Sequence, residues 1–252
     1  MTQRVLWINP LGTDVFDEPI RDELERVKLA DTEVEVRSLE RGPHHLEYSC
    51  YEAAAVPDIL ELLAQAEGEG FDAAVIGCFY DTALRPAREI TSRMAVAAPC
   101  ESALHIASTL GDSFSIVVGR RKWVPEMRDN VRRYGFGDRL ASFKVIDLGV
   151  HDFQANPAET RHRILAAGRE AIESDGAEVV VLGCTAEFGF FEELQDELGV
   201  PVIDATVAPF KYAELLGELA RLGWRTSEVG GYAPPPPAEA EAFGLATGRS
   251  RA

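Results

Sequence analysis

No apolar run in the chain approaches the roughly 18 residues that a membrane-spanning helix needs, so no membrane span is expected. The opening MTQRVLWINPLGTD lacks the long apolar core of a signal peptide and runs straight into a strand-like segment. A cytoplasmic location is therefore expected. Basic residues are scarce: 25 Lys and Arg stand against 42 Asp and Glu, for a formal net charge of −17. Such a surface cannot neutralise phosphates, which excludes a nucleic-acid partner. Cysteine is sparse as well. Cys50, Cys78, Cys100 and Cys184 form no CxxC pair, which argues against a zinc ribbon, and in a reducing compartment they are expected as free thiols. No GxGxxG supports a nucleotide site, and His44-His45 lacks a third ligand at useful spacing. No metal and no cofactor is expected.

Two stretches echo one another: Phe71–Asp81 (FDAAVIGCFYD) and Ala177–Glu187 (AEVVVLGCTAE). Each is a short β-branched run that ends in Gly-Cys and precedes a helix-like stretch, as a buried parallel strand does. Strand and helix patterns alternate along the rest of the chain, with strands expected at 4–8, 33–38, 73–77, 95–99, 113–118, 141–148, 179–182 and 200–203. Helices are expected at 18–29, 53–67, 84–94, 102–110, 123–134, 157–174, 188–198 and 206–222. The predicted fold is α/β: two similar Rossmann-like lobes with parallel sheets, related by a pseudo-twofold, and an active site in the cleft between them. Residues 1–99 and 206–228 would form lobe one and 100–205 lobe two. A Pro-rich, weakly ordered tail would follow over 229–252. The repeat offset is 106 residues from Cys78 to Cys184 but 102 from Pro99 to Pro201, which reads as a four-residue change between them and pairs Cys100 with Val202.

Cysteines at these two positions would sit where strands give way to loops, at the carboxyl edge of a sheet, where open α/β folds bind ligands. A thiol titrates at roughly 8.5 when unperturbed, can be lowered by a nearby helix N-terminus, and is a useful acid or base at carbon. One thiolate taking a proton and a second thiol returning one to the opposite face would invert a stereocentre. Backbone N–H groups of the loops 79–81 and 185–187 would stabilise the carbanion's oxygen. A Cys that ends an apolar strand can equally be core, and the duplication is what favours the chemical reading. Cys50 reads as surface and Cys100 as packing.

The chain resembles the Asp/Glu/hydantoin racemase superfamily, most closely its hydantoin-racemase branch, over about residues 4 to 224. The resemblance is carried by Ile8-Asn9-Pro10, by Gly77-Cys78-Phe79 with Asp81 and then Ala87-Arg88-Glu89, by Glu101-Ser102-Ala103, and by Leu182-Gly183-Cys184. It implies that Cys78 and Cys184 are the two catalytic acid/base groups. It implies that Asn9 and the backbone after each cysteine (Phe79, Tyr80, Thr185 and Ala186) line a small-molecule pocket. It also implies that no cofactor is needed and that the protein is a homo-oligomer. Leu11, Tyr80 and the Thr185-Ala186-Glu187 run depart from the branch's usual residues, which alters the expected pocket.

Gly119 and Arg120, after the strand at 113–118, could clamp a substrate carboxylate or could belong to a solvated charge run. Glu101 could cap its helix, and His105 reads as a packed or hydrogen-bonded residue. The leading expectation is a cofactor-independent racemase acting on a 5-substituted hydantoin or related ring. The alternatives are an aspartate/glutamate-type amino-acid racemase and a non-catalytic two-lobed binding protein.

Overall fold

The computed structural model describes residues 2–245, 247 and 248. In chain order the strands are β1 (Gln3–Asn9), β2 (Thr32–Ser38), β3 (Ala73–Ile76), β4 (Ala95–Ala97), β5 (Phe114–Val118), β6 (Leu140–Val145), β7 (Val179–Leu182) and β8 (Val202–Ile203). The helices are α1 (Asp17–Val27), α2 (Ser49–Gly68), α3 (Leu84–Ile90), α4 (Pro99–Leu110), α5 (Val124–Arg133), α6 (Asp152–Ala155), α7 (Pro157–Asp175), α8 (Phe191–Leu198), α9 (Val207–Arg221) and α10 (Pro237–Ala242). The chain divides into two compact units. The first comprises residues 1–77, 82–98 and 210–252, the second residues 78–81 and 99–209. The four residues that begin at Cys78 thus belong with the second unit.

Each unit holds one four-stranded sheet, in the order β2-β1-β3-β4 in the first and β6-β5-β7-β8 in the second. Every pairing is parallel. Counted from its own first strand, each sheet runs 2-1-3-4, so the sequence echo is an architectural duplication. Strands β3 and β7 lie inside their sheets with all four residues fully buried, which is why both read as unbroken apolar runs rather than alternating ones. Trp7 and Phe210 in the first unit and Phe114 and Phe153 in the second are the largest fully enclosed side chains among the described residues.

Register corrects the expected repeat alignment. Ala74 pairs with Val96 and Val180 pairs with Val202. The offset of 106 that relates the cysteines therefore persists through the fourth strand. Pro99 and Pro201 are not equivalent: the first opens α4, the second precedes β8. Ala98 corresponds to Asp204, and Cys100 corresponds to Thr206 rather than Val202.

Local chemistry sets the element ends. Helix α7 starts at Asn156, whose side chain accepts the Glu159 N–H at 3.3 Å, and stops at Gly176 with φ of 72°. Helix α3 ends at Ile90, four residues earlier than expected. The Glu67 carboxylate takes the N–H groups of Ser92, Arg93 and Met94 at 2.7, 2.6 and 3.0 Å, and so holds that segment out of the helix. Helix α8 starts at Phe191 rather than 188 because Gly189 turns the chain with φ of 85°. The C-terminal stretch carries a turn at Gly230–Tyr232 and then α10, with Ala240 buried.

Candidate active site

Cys184 lies two residues past β7 and caps a short 3-10 turn, Thr185–Glu187. Gly183 must be glycine here: a Cβ would lie 2.6 Å from the carbonyl oxygen of Val117. The turn is closed by a reciprocal pair of bonds. The backbone N–H of Glu187 donates to the Cys184 sulfur, and the Glu187 carboxylate accepts the Cys184 N–H at 3.2 Å. Neighbours hold the loop from outside. Gln154 of α6 donates to the carbonyls of Ala186 and Phe188 at 2.9 and 3.2 Å, and the Thr206 hydroxyl donates to the carbonyl of Thr185 at 3.0 Å.

Cys78 stands in the corresponding turn. Gly77 is again obligatory, since a Cβ there would meet the Trp7 ring at 2.6 Å. The Asp81 N–H closes on the Cys78 carbonyl at 2.9 Å, as the Glu187 N–H closes on the Cys184 carbonyl at 3.0 Å. Both N–H groups, expected to face a substrate oxygen, are therefore engaged within their own turns. Asp81 adopts φ of 53° and Ala83 φ of 60°, so left-handed backbone brackets this corner. The Asp81 side chain reaches the start of α4. Its two carboxylate oxygens accept the N–H groups of Cys100 and Glu101, each at 2.8 Å, and the Tyr134 hydroxyl at 2.7 Å. Asn130 of α5 donates to the Tyr80 carbonyl at 2.7 Å. Burial pushes the Asp81 carboxyl up to about 7, against the pull of its three donors. Burial first, and then the neighbouring Asp81, raises the Tyr134 phenol. The Cys100 thiol is raised by burial and by the charges of Asp81 and Glu101, which keeps it an inert core group.

The duplicated turns differ in what their acids do. In the second half the N–H groups of Thr206 and Val207, equivalent to those of Cys100 and Glu101, are capped by Asp204 at 2.6 and 3.1 Å. Residue 98, at the equivalent place in the first half, is an alanine with no side chain to offer, so Asp81 takes over the capping. Glu187, relieved of it, folds back onto its own cysteine. Burial raises the Glu187 carboxyl well above the usual carboxylate range, and Asp204 adds to the shift.

Cys78 and Cys184 are both partly exposed, unlike Cys100. Phe79, Tyr80 and Ala186 are buried, and Thr185 is half-buried. Asn9 is nearly enclosed at the end of β1: its amide oxygen accepts the Trp7 indole N–H at 2.8 Å and its amide nitrogen donates to Asp17 at 2.5 Å. Gly119 directly follows β5, where a Cβ would meet the Leu148 carbonyl. Arg120 is exposed and lies beside Asp152 at 3.9 Å. Cys50 and His105 are exposed, and His105 meets the Phe136 ring edge-on. His44 is exposed and His45 sits among Tyr48, Tyr51 and Glu47.

Sequence reasoning passed over Asp81, Asn130, Tyr134, Glu187, Asp204 and Thr206 as side chains that brace the turns. A signal for two of them was present: both Gly-Cys turns carry an acid three residues after the cysteine. Asn130 on α5 and Tyr134 at its C-cap gave none, because their partners are about 50 residues away in sequence.

A family model described as Asp/Glu/Hydantoin racemase matches residues 5–213. A hydantoin racemase of Paenarthrobacter aurescens is 37% identical over 92% of this chain and 97% of its own length. A hydantoin racemase of Pseudomonas sp. (strain NS671) is 34% identical over 90% of each chain. Among solved structures, an allantoin racemase from Klebsiella pneumoniae superposes with a TM-score of 0.86 at 30% identity, over 93% of this chain and 94% of its own.

Proposed function

From the premise that the chain belongs to the Asp/Glu/hydantoin racemase family and is an isomerase, we propose that it inverts the stereocentre of a 5-substituted hydantoin or related ring with Cys78 and Cys184 as the two acid/base groups. The observation that carries this reading is the paired Gly-Cys turn. Each half places a partly exposed thiol just past the carboxyl end of an inner strand, on a turn locked by a buried acid three residues on. Two such thiols serve a carbon acid with one proton on either face. In one direction a thiolate removes the C5 proton, the electron pair delocalises onto the adjoining carbonyl oxygen, and the opposite thiol delivers its proton to the other face. The enzyme then holds the proton on the first sulfur and the thiolate on the second, poised for the reverse reaction. The ring carbonyls make C5–H far more acidic than the α-hydrogen of a free amino acid, so no cofactor is called for.

Asn9, Phe79, Tyr80, Gly119, Thr185 and Ala186 are the proposed lining of the substrate pocket, and homo-oligomeric assembly is carried over from the family resemblance. The aspartate/glutamate alternative needs a carboxylate clamp. Arg120, the candidate for it, is solvated and has Asp152 beside it, which favours the ring substrate.

The test is solvent isotope exchange. In heavy water, Cys78→Ala and Cys184→Ala should each abolish racemisation while keeping exchange at C5 with one enantiomer, a different one for each variant. Full racemisation by either single variant would refute the two-base scheme.

A further inference from the structure

We propose that Glu187 is the positioning residue of Cys184: the reciprocal bonds between the two residues fix the sulfur's direction and give it an N–H donor that favours the thiolate. The role assigned to Cys184 rests on the reading above. The coupling between the two residues rests on their geometry alone.

Three observations carry the inference. First, the Glu187 N–H, which closes the turn on the Cys184 carbonyl at 3.0 Å, also donates to the Cys184 sulfur, while the Glu187 carboxyl accepts the Cys184 N–H, so each side chain is tied to the other's backbone. A hydrogen bond to the charged form of an acid stabilises that form. Second, Glu187 is not needed to cap the following helix. The helix start that its counterpart Asp81 caps is capped in this half by Asp204. Third, the Glu187 side chain is fully buried, and its Oε1 has no hydrogen-bond partner among the described residues. An ionised carboxylate with one oxygen unpaired in the interior is costly, whereas the neutral acid is far cheaper to enclose.

The charge state follows from that burial. Desolvation holds the carboxyl well above the ordinary carboxylate range. The titratable group that acts on it is Asp204, just past β8, while Cys184 and Gly183 act on it only through their backbone N–H groups. Asp204 is itself tied to the N–H groups of Thr206, Val207 and Gly189. While Glu187 is neutral, a thiolate at 184 faces an amide donor and no neighbouring anion in its own turn. As the pH rises further, ionisation of Glu187 places a like charge three residues from the sulfur. Ionisation of Glu187 should therefore lower the thiolate fraction at 184.

Alkylation of Cys184 by iodoacetamide, resolved by peptide mass between about pH 6 and 9.5, tests this in the full chain without any substrate. Gln at 187 keeps an oxygen to accept the Cys184 N–H but never ionises. Glu187→Gln should match the parent within about twofold at the acid end of the range and exceed it by up to about tenfold at the alkaline end, the factor expected if ionised Glu187 raises the thiol by one pKa unit. Superimposable curves across the range, or slower alkylation of Glu187→Gln at every pH, would overturn the proposal. A second reading comes from the parent protein and survives failure of the variant to fold. Its Cys184 rate should rise with pH in two coupled steps, and a single ionisation step overturns the proposal. If no hydantoin is racemised, the functional reading above falls while these curves still decide the coupling.

Discussion

Asp81→Asn should become progressively more favourable to stability than the native residue as the pH is raised from about 5 to about 7. The Asp81 carboxyl titrates near 7 in the fold, because burial outweighs its three donors, whereas the unfolded chain releases that proton near 3.9. Between those values the unfolded chain binds fewer protons at this site than the native one. Stability therefore falls as the pH rises through the window, by about 1.4 kcal/mol per unit where the two states differ by a full proton. From pH 5 to 7 the loss comes to roughly 2 kcal/mol, since the native carboxyl is itself half ionised at the upper end. Asparagine stays neutral throughout. Its oxygen can still accept from the start of α4, and its amide can donate to the Tyr134 oxygen. The comparison of the two proteins cancels every other titrating group. For a chain of this size roughly 2 kcal/mol corresponds to about 4–8 °C, so the calorimetric Tm difference should shift by that amount toward the variant over the two pH units. A difference that stays flat, or that moves toward the native protein as the pH rises, would show that the amides of Cys100 and Glu101 and the Tyr134 hydroxyl hold the carboxylate ionised, and would refute the desolvation argument.

Two further perturbations test the architecture. Glu67→Ala leaves the amides of Ser92, Arg93 and Met94 without their shared acceptor and should cost about 2–4 kcal/mol, read as a lower urea midpoint, while Glu67→Gln should recover more than half of that; equal losses in both variants would mean that the charge, not the acceptor, holds the segment. Gly77→Ala and Gly183→Ala should each destabilise the protein by about 1–3 kcal/mol, because the new methyl meets an enclosed Trp7 ring or the Val117 carbonyl at 2.6 Å, and wild-type stability in either would show that the inner strand can shift to make room.

The duplicated parallel α/β plan was legible in the sequence because both inner strands are buried on two faces and leave an uninterrupted apolar signature ahead of Gly-Cys. The family resemblance was legible because three of its motifs fall at the ends of β1, β3 and β7 and the other two lie in α3 and α4. What could not be read were the features decided by contacts between distant segments. Glu67 shortens α3 from 25 residues upstream, and nothing in the helical periodicity of 84–94 announces it. Aligning Pro99 with Pro201 failed because each adjoins a short apolar strand, while only strand register shows that one opens a helix and the other precedes a strand. The loop N–H groups of Asp81 and Glu187 looked available for an oxyanion; a tight turn consumes such donors locally, and turn geometry is invisible at that level of reading.

The same register argument shows where the two halves stop being copies. Equivalent helix starts need an equivalent acid, and the chain supplies it from different places, Asp81 in one half and Asp204 in the other. The difference traces to a single position, Ala98 against Asp204. Its effect is that Cys184 has a buried carboxyl bonded to its own backbone, while the carboxyl three residues after Cys78 is spent on α4. The two thiols therefore stand in unlike electrostatic surroundings although their backbones turn alike. In a racemisation the enantiomers have equal free energy, so thermodynamics forces kcat/KM to be the same in both directions whatever the asymmetry of the site. Unlike cysteines can express themselves only in how kcat and KM are individually divided between the two enantiomers. Under the two-thiol reading, moving a carboxyl from one half to the other should redistribute those constants in compensating pairs and leave their ratio balanced.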